Sequence, residues 1–225
     1  MRAGRLVVYA SLLIVSVYGV PASVMPLIGS ASAAPQPGNA VVGPQEFMDG
    51  ISKRMFAALD GNRAAITKDP QKVYPLVDQI LLPHFDIEYA SQLVLAQHWR
   101  DASPDQRKRF IDAFYKALLH TYGNALTDFT ADRLKILPFR GDATANRATV
   151  RTEVTRSSGA LVPVDYVMRK TDTGEWKAFD VVIEGISYVR NYRTDLGAEA
   201  DQRGLDAVIL RLEREGLKIK ASDAR

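Results

Sequence analysis

Apolar residues recur every three to four positions through the first half of the chain and every second position after about Thr130. That change of period predicts helices first and sheet afterwards. Phe47, Ile51, Met55 and Leu59, widened by Met48 and Phe56, mark an amphipathic helix opened by Pro44 and closed at Asp60-Gly61. Asp69-Pro70 supplies a cap and a first-position proline for a second helix through Val73, Val77, Ile80 and Leu81, stopping before Pro83. Asp86 opens a third, short helix carrying Ile87, Ala90, Leu93 and Val94. The longest helix starts at Ser103-Pro104-Asp105-Gln106, which combines a cap, a first-position proline, a first-turn acid and a capping-box glutamine. Phe110, Phe114, Leu118 and Tyr122 then fall on one face, with Arg109, Asp112, Lys116 and His120 opposite.

Beyond Thr130 the alternation of two predicts strands. Leu134 and Ile136 form a short one; Ala148, Val150, Thr152 and Val154 alternate with Arg147, Thr149, Arg151 and Glu153; Val162, Val164, Tyr166 and Met168 alternate with Asp165 and Arg169. Ser157-Ser158-Gly159 and Asp172-Thr173-Gly174 are turns. Trp176, Phe179, Val181, Val182 and Ile183 make a fourth strand, broken by Gly185 before Ser187 caps a helix over 188–199; a last helix spans 205–213. The predicted class is α+β: an antiparallel meander of about four strands with one apolar face, packed against several helices. On this reading Phe110, Phe114, Leu118 and Tyr122 face Val150, Val154, Val164, Tyr166 and Met168 across the two layers.

Composition is that of an ordinary globular protein, at 47% apolar and 24% charged residues. Arg2 and Arg5 precede an uncharged apolar run from Leu6, followed by Pro21 and Ala31-Ser32-Ala33, the n-region, h-region and small-residue cleavage site of a secretory signal peptide over 1–33. An uncleaved anchor is the alternative, against which Pro21 and Pro26 count. Residues 34–43 read as a flexible leader, 44–215 as the domain and 216–225 as a polar tail. The formal charge is +3, and without Arg2 and Arg5 it is close to neutral, so no basic stripe speaks for nucleic acid. The absence of cysteine excludes disulfides, thiolate metal sites and a lipidated N-terminal cysteine. The expected location is the periplasm, as an exported monomer with no stable membrane insertion.

The chain offers little chemistry. Gly185-Ile186-Ser187 lacks the flanking pattern of a nucleophile elbow, and Ser187 fits a cap better. His84, His98 and His120 lie in separate segments without ligand spacing and read as solvated, so no metal site is expected. Asp165 and Asp180 interrupt apolar strands, and an aspartate facing an apolar cone would have a raised pKa and could abstract a proton, as in cone-shaped isomerases. Alternation turns Asp165 outward. For Asp180, a bulge near Val181 or a hydrogen bond to the following turn is the better account.

Several stretches resemble the MlaC family of periplasmic phospholipid-binding proteins, also described as toluene-tolerance proteins. They are Trp99, Ala102-Ser103-Pro104, the Phe110/Phe114 pair, Tyr122-Gly123, Trp176 to Val181, Glu184 to Ser187, Asn191-Tyr192-Arg193 and Gly204-Leu205-Asp206. The chain departs from the family pattern at Asp195-Leu196, where a glutamate and an aromatic residue are expected, and at Ala96, where glycine is usual. These departures leave open a branch associated with hopanoids.

The resemblance implies a strongly twisted antiparallel sheet with acyl chains held between sheet and helices, no catalysis, no cofactor, and a phospholipid as cargo. It implies partners at both membranes: an outer-membrane lipoprotein complex and an inner-membrane ABC transporter complex, between which the lipid is carried to maintain outer-membrane asymmetry. The residues expected to line the pocket are Phe110, Phe114, Leu118 and Tyr122 from the long helix. From the sheet they are Val150, Val154, Val164, Tyr166, Met168 and Trp176. The alternatives are a carrier of hopanoid or other polycyclic lipid, an isomerase-like enzyme using Asp165 or Asp180, and an adaptor with a filled core.

Overall fold

The computed structural model describes residues 42–217 except 129, 143 and 157. The signal-peptide reading, most of the leader and most of the tail lie outside these residues. Helix α1 (Pro44–Gly61) buries Ile51, Met55 and Leu59 of the stripe predicted by spacing, with Met48 buried in place of Phe47, which is half-buried, and Asn62 stops it by donating its side-chain amide to the Ala58 carbonyl at 2.8 Å. A short α2 (Arg63–Lys68) follows.

The second predicted helix is broken. Asp69 accepts the Gln71 amide as foreseen, but the chain then passes through a 3-10 turn (Pro70–Lys72), one α-turn α3 (Val73–Leu76), a π-turn (Val77–Leu81) and another 3-10 turn (Leu82–His84). Pro75 is the physical reason. It sits inside the pattern, donates no amide and clashes with the preceding turn, so continuous α-helix cannot form between Pro70 and Pro83.

Helices α4 (Ile87–Leu95), α5 (Gln97–Asp101) and α6 (Pro104–Tyr122) come next, with α4 capped by Asp86 and α6 by the complete Ser103/Gln106 capping box. After the sheet, α7 (Tyr188–Arg203) begins at its Ser187 cap and α8 (Leu205–Glu215) closes the domain. Leu217, assigned to the tail, packs against the helical core.

The sheet has five strands in the order β1 (Leu134–Ile136), β2 (Arg147–Thr155), β3 (Leu161–Lys170), β4 (Trp176–Ile183) and β5 (Ile186–Ser187), each antiparallel to the next. The extra strand is short because Glu184 and Gly185, both with positive φ, make a tight hairpin ahead of α7. A bulge sets Met168 opposite Ala178 and Val167 opposite Asp180, so the parity of β4 shifts at Phe179. Phe85 bridges Ala178 in parallel, and the Asp86 amide donates to the Ala178 carbonyl at 2.7 Å, tying the start of α4 to the edge of β4.

Helices α4, α6, α7 and α8 share their own core. Phe110 and Phe114 stack at 5.5 Å, Tyr192 meets Phe114 edge-on at 5.4 Å, and Val94, Leu196, Val208, Ile209 and Leu212 fill in around them. The aromatic ridge of α6 is therefore covered by other helices and not by the sheet. Its predicted partner was misplaced because periodicity gives the width of an apolar face and not what covers it.

Candidate functional site

Cross-strand pairing decides which side chains share the inner face of the sheet. Ala148, Val150, Met168, Trp176 and Ala178 form one buried cluster with Met48 of α1, flanked by Phe47, Phe85 and Phe139. This half is closed by a helix.

The other half is built differently. Val154, Val162 and Val164 form a buried cluster with Leu134, Tyr166, Val181 and Ile183 packed against it, and every one of these residues is on a strand. The register sets Ile136, Thr152, Val164, Ile183 and Ile186 in one row across all five strands. Thr152 does not make that row polar, because its buried hydroxyl donates to the Val164 carbonyl at 2.7 Å. The row ends in Ile186, which is 52% exposed. Along the row Thr152 and Val164 are buried and Ile136 and Ile183 half-buried, so the aliphatic surface opens towards its ends.

A cleft of about 370 Å³ runs along the margin of this surface, between α1 and β1. Phe56, Ala131, Leu134 and Ile136 give it an apolar floor; Gln45, Glu46, Asp49, Ser52 and Lys53 give it a polar rim, where Lys53 and Asp49 pair at 2.6 Å. Its volume falls within the range of about 300–1,000 Å³ typical of ligand clefts. Phe56 packs against the core of α1 and α3, while Leu134 belongs with the strand cluster, so the cleft separates a helical wall from a sheet wall.

Tyr166 lies where the two inner-face clusters meet and packs against both. Burial pushes its phenol's pKa upward, yet the residue keeps part of its accessible surface. Among the described residues its hydroxyl has no hydrogen-bond partner.

The residues predicted to line one pocket fall into three places. Phe110 and Phe114 are inside the helical core; Leu118 and Tyr122 are at its margin, with the Tyr122 and Tyr192 hydroxyls 2.6 Å apart. Val150, Met168 and Trp176 are in the closed half of the sheet, and Val154 and Val164 in the all-strand half, with Tyr166 between. The six sheet residues share one face as expected, and the four from α6 do not meet it. The structure adds Leu134, Val162, Val181, Ile183 and Phe56. Alternation already marked Val162, but the bulge at Phe179 hid the parity of Val181 and Ile183.

No acid is directed at this surface from the two aspartates singled out. Asp165 stands on the outer face, opposite Arg151 and Val182. Asp180 turns to the start of α7, accepting the Ser187 hydroxyl at 2.5 Å and the Val189 amide at 3.0 Å. Two histidines depart from expectation: His84 and His98 are half-buried, the first accepting from the Arg54 guanidinium at 2.8 Å and the second 3.2 Å from Asp201, while His120 is exposed. Among the described residues no group of three His, Cys, Asp or Glu side chains could hold a metal ion, and no helix is long and apolar enough to cross a membrane.

Comparison with known proteins places these features in context. The family model described as MlaC protein matches residues 49–214. The toluene tolerance protein ttg2D of Pseudomonas putida is 30% identical over 161 residues, covering 71% of this chain and 74% of that protein. The intermembrane phospholipid transport system binding protein MlaC of Haemophilus influenzae is 25% identical over 173 residues, covering 76% and 81%. Among solved structures, a phospholipid-binding protein from Ralstonia solanacearum, in complex with a phospholipid, superposes with a TM-score of 0.67 at 27% identity, over 76% of this chain and 98% of that one.

Proposed function

This chain belongs to the MlaC protein family, and on that premise we propose that it is a non-enzymatic phospholipid carrier working between the outer and inner membranes. It is exported to the periplasm with its signal peptide removed. There it takes one lipid, tails buried, between an outer-membrane lipoprotein complex and an inner-membrane ABC transporter complex, and so maintains outer-membrane lipid asymmetry. The domain that does this spans about 44–215, and the carrier is a monomer that needs no cofactor.

The observation that carries this reading is the strand-only aliphatic surface from Leu134 to Ile186, bordered by the cleft against α1. A diacyl lipid has roughly 30 methylenes, each stabilised by about 0.8 kcal/mol on leaving water, so wet tails would cost on the order of 24 kcal/mol. A carrier must therefore cover nearly all of both chains. Headgroups remain in water at no such cost, so tails dominate recognition and headgroup selectivity is slight. Val154, Val164 and Tyr166 contact the chains directly; Val150, Met168 and Trp176 form the stop at the closed end. Phe110, Phe114, Leu118 and Tyr122 hold the helical layer that backs the site.

Native mass spectrometry of the protein purified from its own compartment tests the reading. One diacyl phospholipid per chain, in several headgroup classes, is the expected result. A mass equal to the bare chain after gentle isolation would count against a carrier, and a bound polycyclic lipid would assign it to another cargo.

A further inference from the structure

The cleft between α1 and β1 has a size that discriminates between lipids. A methylene takes up about the volume of a water molecule in the liquid, roughly 30 Å³, so the roughly 30 methylenes of a diacyl lipid ask for about 900 Å³. The cleft offers about 370 Å³, room for about twelve methylenes. The sheet beside it gives no further room: Thr152 is 1% exposed and Val154, Val162 and Val164 no more than 8%. Met48 of α1 is buried against the closed half of the sheet. A second concavity, of about 320 Å³, lies between the α4–α5 turn and α7 and shares no lining residue with the cleft. One acyl chain therefore fits with α1 where it stands, and two fit only if α1 moves away from β1.

The lining suits a single-chain amphiphile in polarity as well as in volume. Phe56, Leu134 and Ile136 give hydrocarbon a floor, and Glu46, Asp49 and Lys53 stand at the rim. Lys53 is paired with Asp49 at 2.6 Å, so the two carboxylates and one ammonium leave the rim net negative. A fatty-acid carboxylate meets that rim as a like charge, whereas a zwitterionic headgroup brings a cation to it.

We infer that lysophospholipids with a zwitterionic headgroup are a second class of cargo for this protein, taken up in the α1–β1 cleft without the movement of α1 that a diacyl lipid needs. This rests on the carrier reading above and adds to it a substrate that differs in chain number. A chain entering the cleft gains affinity with every methylene covered until the cleft is full; further carbons stay in water and add nothing.

The test titrates the full protein, freed of copurifying lipid, with lysophosphatidylcholines of increasing chain length by calorimetry, each kept below its micelle-forming concentration. Affinity is expected to rise about fourfold per methylene and to level off at about twelve carbons. Sodium laurate is expected to bind about fivefold more weakly than the lysophosphatidylcholine of the same chain, the size of one like-charge contact in water. Ala131 is exposed on the cleft wall, so Ala131→Trp fills the cleft without entering the core and is expected to abolish binding of the single-chain lipids. No binding by wild type at any chain length, with diacyl phospholipid still loaded from vesicles, overturns the inference and leaves the carrier intact. So does undiminished binding by Ala131→Trp, an affinity that climbs without levelling off, or laurate binding as tightly as the lysolipid. Failure of wild type to take up lipid of either kind would sink the carrier reading itself, and this inference with it.

Discussion

The carboxylate of Asp180 holds the hydroxyl of Ser187 at 2.5 Å, and Ser187 in turn caps α7 by accepting the Arg190 amide at 3.1 Å. The second Asp180 oxygen accepts the Val189 amide at 3.0 Å. A buried strand residue thus satisfies the exposed donors at the start of a helix and fixes the angle between β4 and α7. Asp180 is thus occupied in holding sheet and helix together, through the hydrogen bond to the following turn that its sequence context favours over a proton-abstracting role.

Replacement of Asp180 by alanine should therefore weaken the fold and not a reaction. Loss of two hydrogen bonds to a charged acceptor predicts a destabilisation of about 3 kcal/mol, with Asp180→Asn intermediate. Urea unfolding measures it, and lipid loading of the folded fraction should stay at the wild-type level. Unchanged stability would remove Asp180 from this role.

Ala96, between α4 and α5, has φ 50° and ψ −112°, a conformation that suits glycine and strains an L side chain. Ala96→Gly should stabilise the protein by about 1 kcal/mol, the relief of strain exceeding the added freedom of the unfolded chain. The checking measurement is the urea midpoint at constant slope. A lower midpoint would show that the turn is not strained.

Local signals were the most legible part of the sequence. Ser103-Pro104-Asp105-Gln106 and Asp86 cap their helices as read, because a cap depends on residues within one turn. The alternation of β2 and β3 gave their faces correctly for the same reason. The candidate site was only half legible. Phe110 and Phe114 are bulky, apolar and evenly spaced whether they meet a sheet or other helices, and only long-range packing shows that both lie in the helical core, with Tyr192 edge-on to Phe114. Pro75 was a local signal that outweighs the helical period around it, and the bulge at Phe179 reversed the strand parity on which Val181 and Ile183 depend.

His84 gives the stability a pH dependence. Burial first, then the charges of Arg54 and Lys177, hold its pKa below the ordinary 6.5, with Glu175 opposing. The folded protein thus binds this proton less readily than the unfolded chain. Stability rises with pH from the lowered folded-state value up to 6.5 and is lost on acidification through the same window. Thermal unfolding at pH 5.5 and 7.5 should show a smaller difference for His84→Gln than for wild type. An equal difference in both would place the dependence elsewhere.

The separation of the helical core from the sheet's aliphatic surface makes two substitutions behave oppositely. Phe110 is fully buried among helices, so Phe110→Ala leaves a cavity and should cost about 3–5 kcal/mol without selectively reducing lipid bound per folded molecule. Val164 lies at the centre of the all-strand surface, so Val164→Trp places an indole where acyl chain would lie. That variant should fold, with a midpoint within about 1–3 kcal/mol of wild type, the ordinary cost of an enlarged side chain, and should lose most of its lipid. Both quantities can be read on the same samples, by urea titration and by native mass spectrometry. Should Val164→Trp keep a full complement of lipid while Phe110→Ala empties the folded protein, the site would lie against α6 after all, and the surface running from Leu134 to Ile186 would need another covering.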